Sequence, residues 1–155
     1  MTGSAEPSPS RPTVPRPLPG VVDPLFEPYF AGLAESRIRV PSCVACGRRQ
    51  FPPRGVCPAC QGLDFEWIDM PTSGTVYTFV TTYRAFHPWF AERVPYASVV
   101  ADLGDGIRVM GACFDDAELV RCGAPVDAAF VPADGLTVLE WHLHEPWRVH
   151  EAEVR

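Results

Sequence analysis

The sequence predicts a mostly β chain: a short N-terminal helix, a zinc ribbon built on paired cysteines, and a five-stranded Greek-key barrel of the OB type. Three observations carry that prediction. Two Cys-x-x-Cys pairs stand ten residues apart between residues 43 and 60. Five later stretches alternate apolar and polar residues with period two, and glycine-rich or proline-rich turns separate them. One helix-like segment interrupts the strands between the third and the fourth, which suits a small closed barrel. An open β-meander is the competing arrangement.

Residues 1–20 contain six prolines and no apolar run, so residues 1–22 read as a disordered tail. In DPLFEPYFAGLAES, Asp23 and Pro24 suit a cap and a first helical residue. Pro28 lacks the N–H that a second turn needs, so either the helix starts there or a one-turn segment precedes it. Tyr29, Phe30 and Leu33 then share a face, which reads either as core or as a docking surface. With this helix in residues 23–40, the ribbon takes 41–68, the barrel 69–145, and a charged, fraying tail 146–155.

In CVACGRRQFPPRGVCPAC, Cys43, Cys46, Cys57 and Cys60 can supply four thiolates from two tight turns. Gly47 can take the positive φ that folds N–H groups toward the sulfurs. A thioredoxin-like dithiol would open a helix in a βαβ setting, whereas this chain continues as strands. Four-thiolate iron would use the same ligands, but nothing nearby suggests electron transfer, so zinc is favoured. Four protein ligands close the site to water, which makes the metal structural.

The barrel strands are GTVYTFVTTYR (74–84), YASVVADL (96–103), GIRVMGACF (106–114), PVDAAFV (125–131) and TVLEWHL (137–143). The alternation places Tyr77, Phe79, Thr81 and Tyr83 on one face of the first. Gly104-Asp105 turns the second strand into the third, and Pro132–Gly135 separates the last two. DDAELVRCG (115–123) reads as a short helix with Asp115 as cap and Gly123 as terminator. Cys113 and Cys122 read as small buried hydrophobes.

The formal charge is −6, and all thirteen positive charges are arginine, so there is no general attraction to nucleic acid or anionic lipid. No stretch approaches 18 apolar residues and no secretory pattern is present, which points to a cytoplasmic protein away from membranes. The four histidines form no recognisable catalytic set: His142 and His144 share a face with Glu140 in a solvated strand, and no nucleophile elbow or phosphate-cradling glycine loop occurs. Two clusters instead suggest binding. Arg48, Arg49 and Arg54 lie with Phe51 and Pro53 inside the ribbon, a basic tip on an acidic protein. Arginine pairs bidentately with phosphate, so a nucleotide-like ligand such as the adenosine-phosphate end of coenzyme A suits them. Arg84, His87, Trp89 and Phe90 concentrate in the loop before the second strand.

The order of motifs, CxxCG-x₄-PPR-x₂-CPxC, a GTVYTF strand, HPWF…VPY and DLGDGIRVMG, resembles a rubredoxin-like zinc-ribbon plus OB-fold family associated with acyl-CoA enzymes. The resemblance runs from about Leu25 to Leu143 and is most specific at the four cysteines and at Pro52, Pro53 and Arg54. It implies an accessory subunit, not catalytic alone, that binds a thiolase-like protein such as a thiolase or a retro-aldolase of steroid side-chain acyl-CoAs. A heterotetramer around a thiolase dimer, structural Zn2+, and acyl-CoA shared with the partner complete the expectation. The alternative is a single-stranded nucleic-acid-binding OB protein, with Tyr77, Phe79 and Tyr83 stacking on bases; a rubredoxin-like electron carrier is a third.

Overall fold

A computed structural model describes residues 14–20 and 22–144. The expected C-terminal tail lies outside these residues, as does most of the expected N-terminal one. Among the described residues no helix is long and apolar enough to cross a membrane.

The Asp23 carboxylate accepts from the Leu25 N–H at 2.9 Å and starts a single 3₁₀ turn, Pro24–Phe26. Helix α1, Glu27–Ala34, follows directly, with Pro28 in its first turn, where the missing N–H costs nothing. Thus a one-turn segment does precede the helix. Arg39 holds the helix end to the next strands, contacting Glu35 at 2.6 Å and Asp69 at 3.2 Å.

Strands β1 (Ile38–Cys43) and β2 (Phe65–Met70) form an antiparallel ladder running from Ile38 opposite Met70 to Cys43 opposite Phe65. The sequence reading assigned no strand here. Its period-two signal is missing because five of the six β1 residues are buried, and Pro41 sits among them. The ladder brings the two ends of the cysteine-rich segment together.

Strands β3 (Ser73–Thr82), β4 (Tyr96–Asp102), β5 (Arg108–Cys113), β6 (Pro125–Ala133) and β7 (Leu136–Leu143) close a barrel in the order β3-β4-β5-β7-β6. Pairing of β6 with β3 closes the ring, and β5 meets β7 in parallel at Ala112–Glu140. The five expected strands are therefore present, and the barrel is closed rather than an open meander. Between β6 and β7, Asp134 (φ 40°) and Gly135 (φ 86°) make the two-residue turn that a tight hairpin requires. Val99, Val109, Val126 and Trp141 fill the interior in one cluster with Leu33, Ile38, Val40 and Met70, so helix, ladder and barrel share a core. Gly111 makes room for Trp141: a Cβ there would lie 2.8 Å from the indole Cδ1.

Three local expectations are corrected. A bulge between Val76 and Thr78 breaks the alternation of β3. Tyr77 turns outward under the Arg108 guanidinium, 3.4 Å from the ring centre, whereas Phe79 packs on the core. The two rings therefore do not form a shared stacking face. Residues 115–123 are turns rather than a helix. Asp115 caps no helix there; it accepts from the Leu143 N–H at 2.7 Å, and Gly123 donates to the Val76 carbonyl at 2.8 Å. Tertiary bonds thus outcompete the local capping signals. Finally, residues 14–20 belong to the described structure, and Arg16 forms an ion pair with Glu140 in the barrel wall.

Candidate functional site

The four ligand cysteines sit on two matching turns. Gly47 donates to the Cys43 carbonyl at 2.7 Å, and Gln61 donates to the Cys57 carbonyl at 2.9 Å. Gly47 and Gln61 have φ of 70° and 62°, so the second turn takes its left-handed residue without a glycine. The four Sγ atoms lie within 4.8 Å of one another. Cys43–Cys60 and Cys46–Cys57 separations are 3.5 and 3.6 Å. A disulfide needs about 2.05 Å, whereas sulfurs about 2.3 Å from a tetrahedral zinc stand about 3.8 Å apart. The donor set therefore fits a structural zinc. Gly62 lets the backbone close on it, since a Cβ there would meet Cys43 Sγ at 3.2 Å.

Electrostatics at the turns agree with a cation between them. The N–H groups of Cys60 and Ala59 point at the Cys57 sulfur and lower its pKa to about 6. Cys60 moves oppositely, to about 12: the Gly62 N–H favours its thiolate, but the neighbouring Cys46 and Cys43 sulfurs oppose another negative charge. A divalent cation removes that conflict.

Beside the metal turns lies a groove of about 740 Å³. Arg48, Arg49, Gln50, Phe51, Pro52 and Arg54 line the ribbon side, while Asp105, Gly106 and Ile107 of the β4–β5 hairpin line the other. Arg49 and Asp105 form an ion pair across it. Gln50 is buried; its Nε2 donates to the Arg54 carbonyl at 2.9 Å, and its Oε1 has no protein partner. Phe51 packs on Tyr29 and Phe26, with ring centres 5.0 and 6.3 Å apart, so it is a fixed wall rather than a free stacking platform. Pro53 is buried and does not line the groove. The sequence reading missed Gln50 and the hairpin wall. The latter carries no local signal, because the fold alone brings Asp105 to a segment more than fifty residues earlier.

The other candidates fall into separate places. Arg84, His87, Trp89 and Phe90 do not line the groove. His87 Nδ1 accepts from the Trp89 N–H at 3.2 Å, and Phe90 stacks on Tyr96 at 4.9 Å beside Phe114. Arg84 instead leans over Phe86. Tyr29 and Leu33 are core residues, 6% and 1% exposed, so they offer no docking face. Phe30 is half-buried and lines a separate groove with Ala31, Ala34, Pro132 and Leu136. His142 and His144 bond to different carboxylates, Asp115 and Asp127, and make no triad with Glu140. Burial pushes the Cys113 thiol up to about 11, whereas Cys122 is exposed rather than buried.

Paired thiolate turns closed by a two-stranded ladder, followed by a five-strand barrel, define a zinc-ribbon protein with an OB-type barrel. Residues 30–66 match the model of the ChsH2 rubredoxin-like zinc ribbon domain, and residues 67–131 that of the ChsH2 C-terminal OB-fold domain. The chain belongs to this ChsH2 zinc-ribbon plus OB-fold family. Over 107 residues, 68% of the chain, it is 27% identical to a probable enoyl-CoA hydratase alpha subunit of Thermomonospora curvata. Over 85 residues, 55% of the chain, it is 27% identical to the benzoylsuccinyl-CoA thiolase subunit BbsA of Thauera aromatica. The matches span 33% and 57% of those relatives. Among solved structures, a chain of the Ltp2-ChsH2(DUF35) aldolase superposes with a TM-score of 0.73 at 23% identity, covering 81% of this chain and 98% of that one. A DUF35-family protein of unknown function from Sulfolobus solfataricus gives 0.56 at 17% identity, covering 78% and 86%. Both likenesses concern the fold.

Proposed function

We propose that the chain is a non-catalytic accessory subunit that binds a thiolase-like enzyme and helps hold or channel its acyl-CoA substrate. The observation that carries this is the groove between ribbon and barrel. Three arginines of one rigid turn face it, and the one carboxylate among its lining residues, Asp105, is already tied to Arg49. Guanidinium groups suit the phosphates of coenzyme A, and the Gln50 amide adds hydrogen-bonding capacity beside them. Relatives named as a CoA thiolase subunit and a CoA hydratase subunit support the same class of partner.

In this reading the ribbon metal does no chemistry. It fixes Arg48, Arg49 and Arg54 on a turn that has little core of its own, so the cations are pre-arranged before ligand arrives. The catalytic groups belong to the thiolase-like partner, in a heterotetramer built around its dimer. The loop of residues 84–95 is the partner-facing surface, and steroid side-chain thioesters are one substrate class to try. Titration of coenzyme A into the zinc-loaded chain tests the groove. Arg54→Ala should weaken binding about ten-fold, the value of one charge-assisted hydrogen bond. Equal affinity in Arg48→Ala, Arg54→Ala and the unaltered chain would place the ligand elsewhere.

A further inference from the structure

We propose that Trp89, Phe114 and Glu140 form a guanidinium-binding site on the barrel wall. It takes an arginine from an extended, proline-flanked peptide, and the chain fills it with its own Arg16. The proposal requires no acyl-CoA binding, because neither the ribbon nor its groove contributes a residue, although Trp89 belongs to the loop read above as partner-facing.

Glu140 lies on β7 opposite Ala112, at the one bridge through which β5 and β7 pair. With Arg16 in place its side chain is only 12% exposed, so the guanidinium both covers and neutralises the carboxylate. Arg16 supplies it, with its own side chain 13% exposed. The same guanidinium lies 4.9 Å from the Trp89 ring centre and 5.9 Å from that of Phe114. One group therefore meets an acid and two aromatic faces, the set of contacts that suits a planar cation better than an ammonium.

The aromatic wall of the site is held together without Arg16. Trp89 contacts Phe90 at 4.9 Å and Phe114 at 5.7 Å, and Phe90 stacks on Tyr96. Arg93 covers Trp89 at 3.9 Å and donates to its carbonyl at 2.6 Å. The ligand segment is also restricted in advance: Arg16 lies between Pro15 and Pro17, which favour extended backbone and reduce the entropy lost on docking. Filling the site ties residues 14–20 to the turn at 88–91 and so steadies that loop.

The test is amide hydrogen exchange on the full-length, zinc-loaded chain. It reads Phe90, Ala91 and Arg93, whose N–H groups bond to the carbonyls of His87, Pro88 and Phe90. Arg16→Ala should speed their exchange about ten-fold, as expected for loss of a charge-assisted bond and a cation–π contact. Millimolar ethylguanidinium should slow it again in that variant, and equimolar ethylammonium should not. Should Arg16→Ala fold poorly, Arg16→Lys retains the charge beside Glu140 and should still exchange several-fold faster than the unaltered chain. Unchanged exchange in these variants, or equal rescue by the two cations, would overturn the proposal.

Discussion

Removing the ribbon metal should melt the segment between the two strands of the ladder and leave the barrel standing. From Val44 to Asp64 the buried apolar side chains are Cys57 and Pro53, with Phe51 half-buried against Tyr29 and Phe26. Full burial of one such side chain contributes about 2 kcal/mol, whereas binding of a structural zinc contributes about 10–16 kcal/mol near neutral pH. The metal therefore dominates the folding of this segment. Ile38, Val40 and Met70 instead pack into the common core, so the ladder does not depend on the sulfurs. Cys57→Ser, or chelation of the unaltered chain, should accordingly raise amide exchange at Gly47, Gln50, Cys57 and Gln61 about a hundred-fold or more. Exchange at Val99 and Val109 should stay within a few-fold. Protection that survives across 44–64 after complete metal loss would refute this reasoning, as would cooperative unfolding of the whole chain.

Acid should release the metal. Protons compete with the ion for the thiolates, and Cys57, whose thiolate the Cys60 and Ala59 N–H groups favour, keeps its charge to lower pH than an ordinary thiol. A chromogenic chelator should report faster release as pH falls; faster release toward alkaline pH would contradict it. Asp105→Asn frees Arg49, and asparagine accepts the φ of 52° found there. Coenzyme A should bind about two- to five-fold tighter at low salt, with the gain fading as salt rises; weaker binding would count against the groove. Gly111→Ala forces a methyl against the buried Trp141 ring and within 3.0 Å of the Leu139 carbonyl oxygen. The loss should be about 1–3 kcal/mol in denaturant unfolding, and an unaltered midpoint would show that the barrel can yield there.

The barrel and the metal ligands were legible because their signals are local. Alternation sets strand faces, glycine marks the turns, and Cys-x-x-Cys spacing sets the ligands. What escaped depends on long-range contacts. Pro41 and two-sided burial hid β1, the bulge at Tyr77 reversed a face, and Asp115 satisfied β7 instead of capping a helix. The same holds for the candidate sites. The ribbon arginines stood out in sequence, but Asp105, their counter-charge, comes from a distant hairpin. Tyr29 and Leu33 read as possible docking residues because β1 was not visible and no local signal shows that β7 packs on the helix.

The most direct test of the accessory-subunit account is the composition and activity of the complex purified under mild conditions from cells that make this chain. The account predicts a stable thiolase-fold partner, acyl-CoA turnover by the complex, and none by this chain alone. Full-rate turnover by the isolated chain would contradict it, as would purification without any thiolase-like partner.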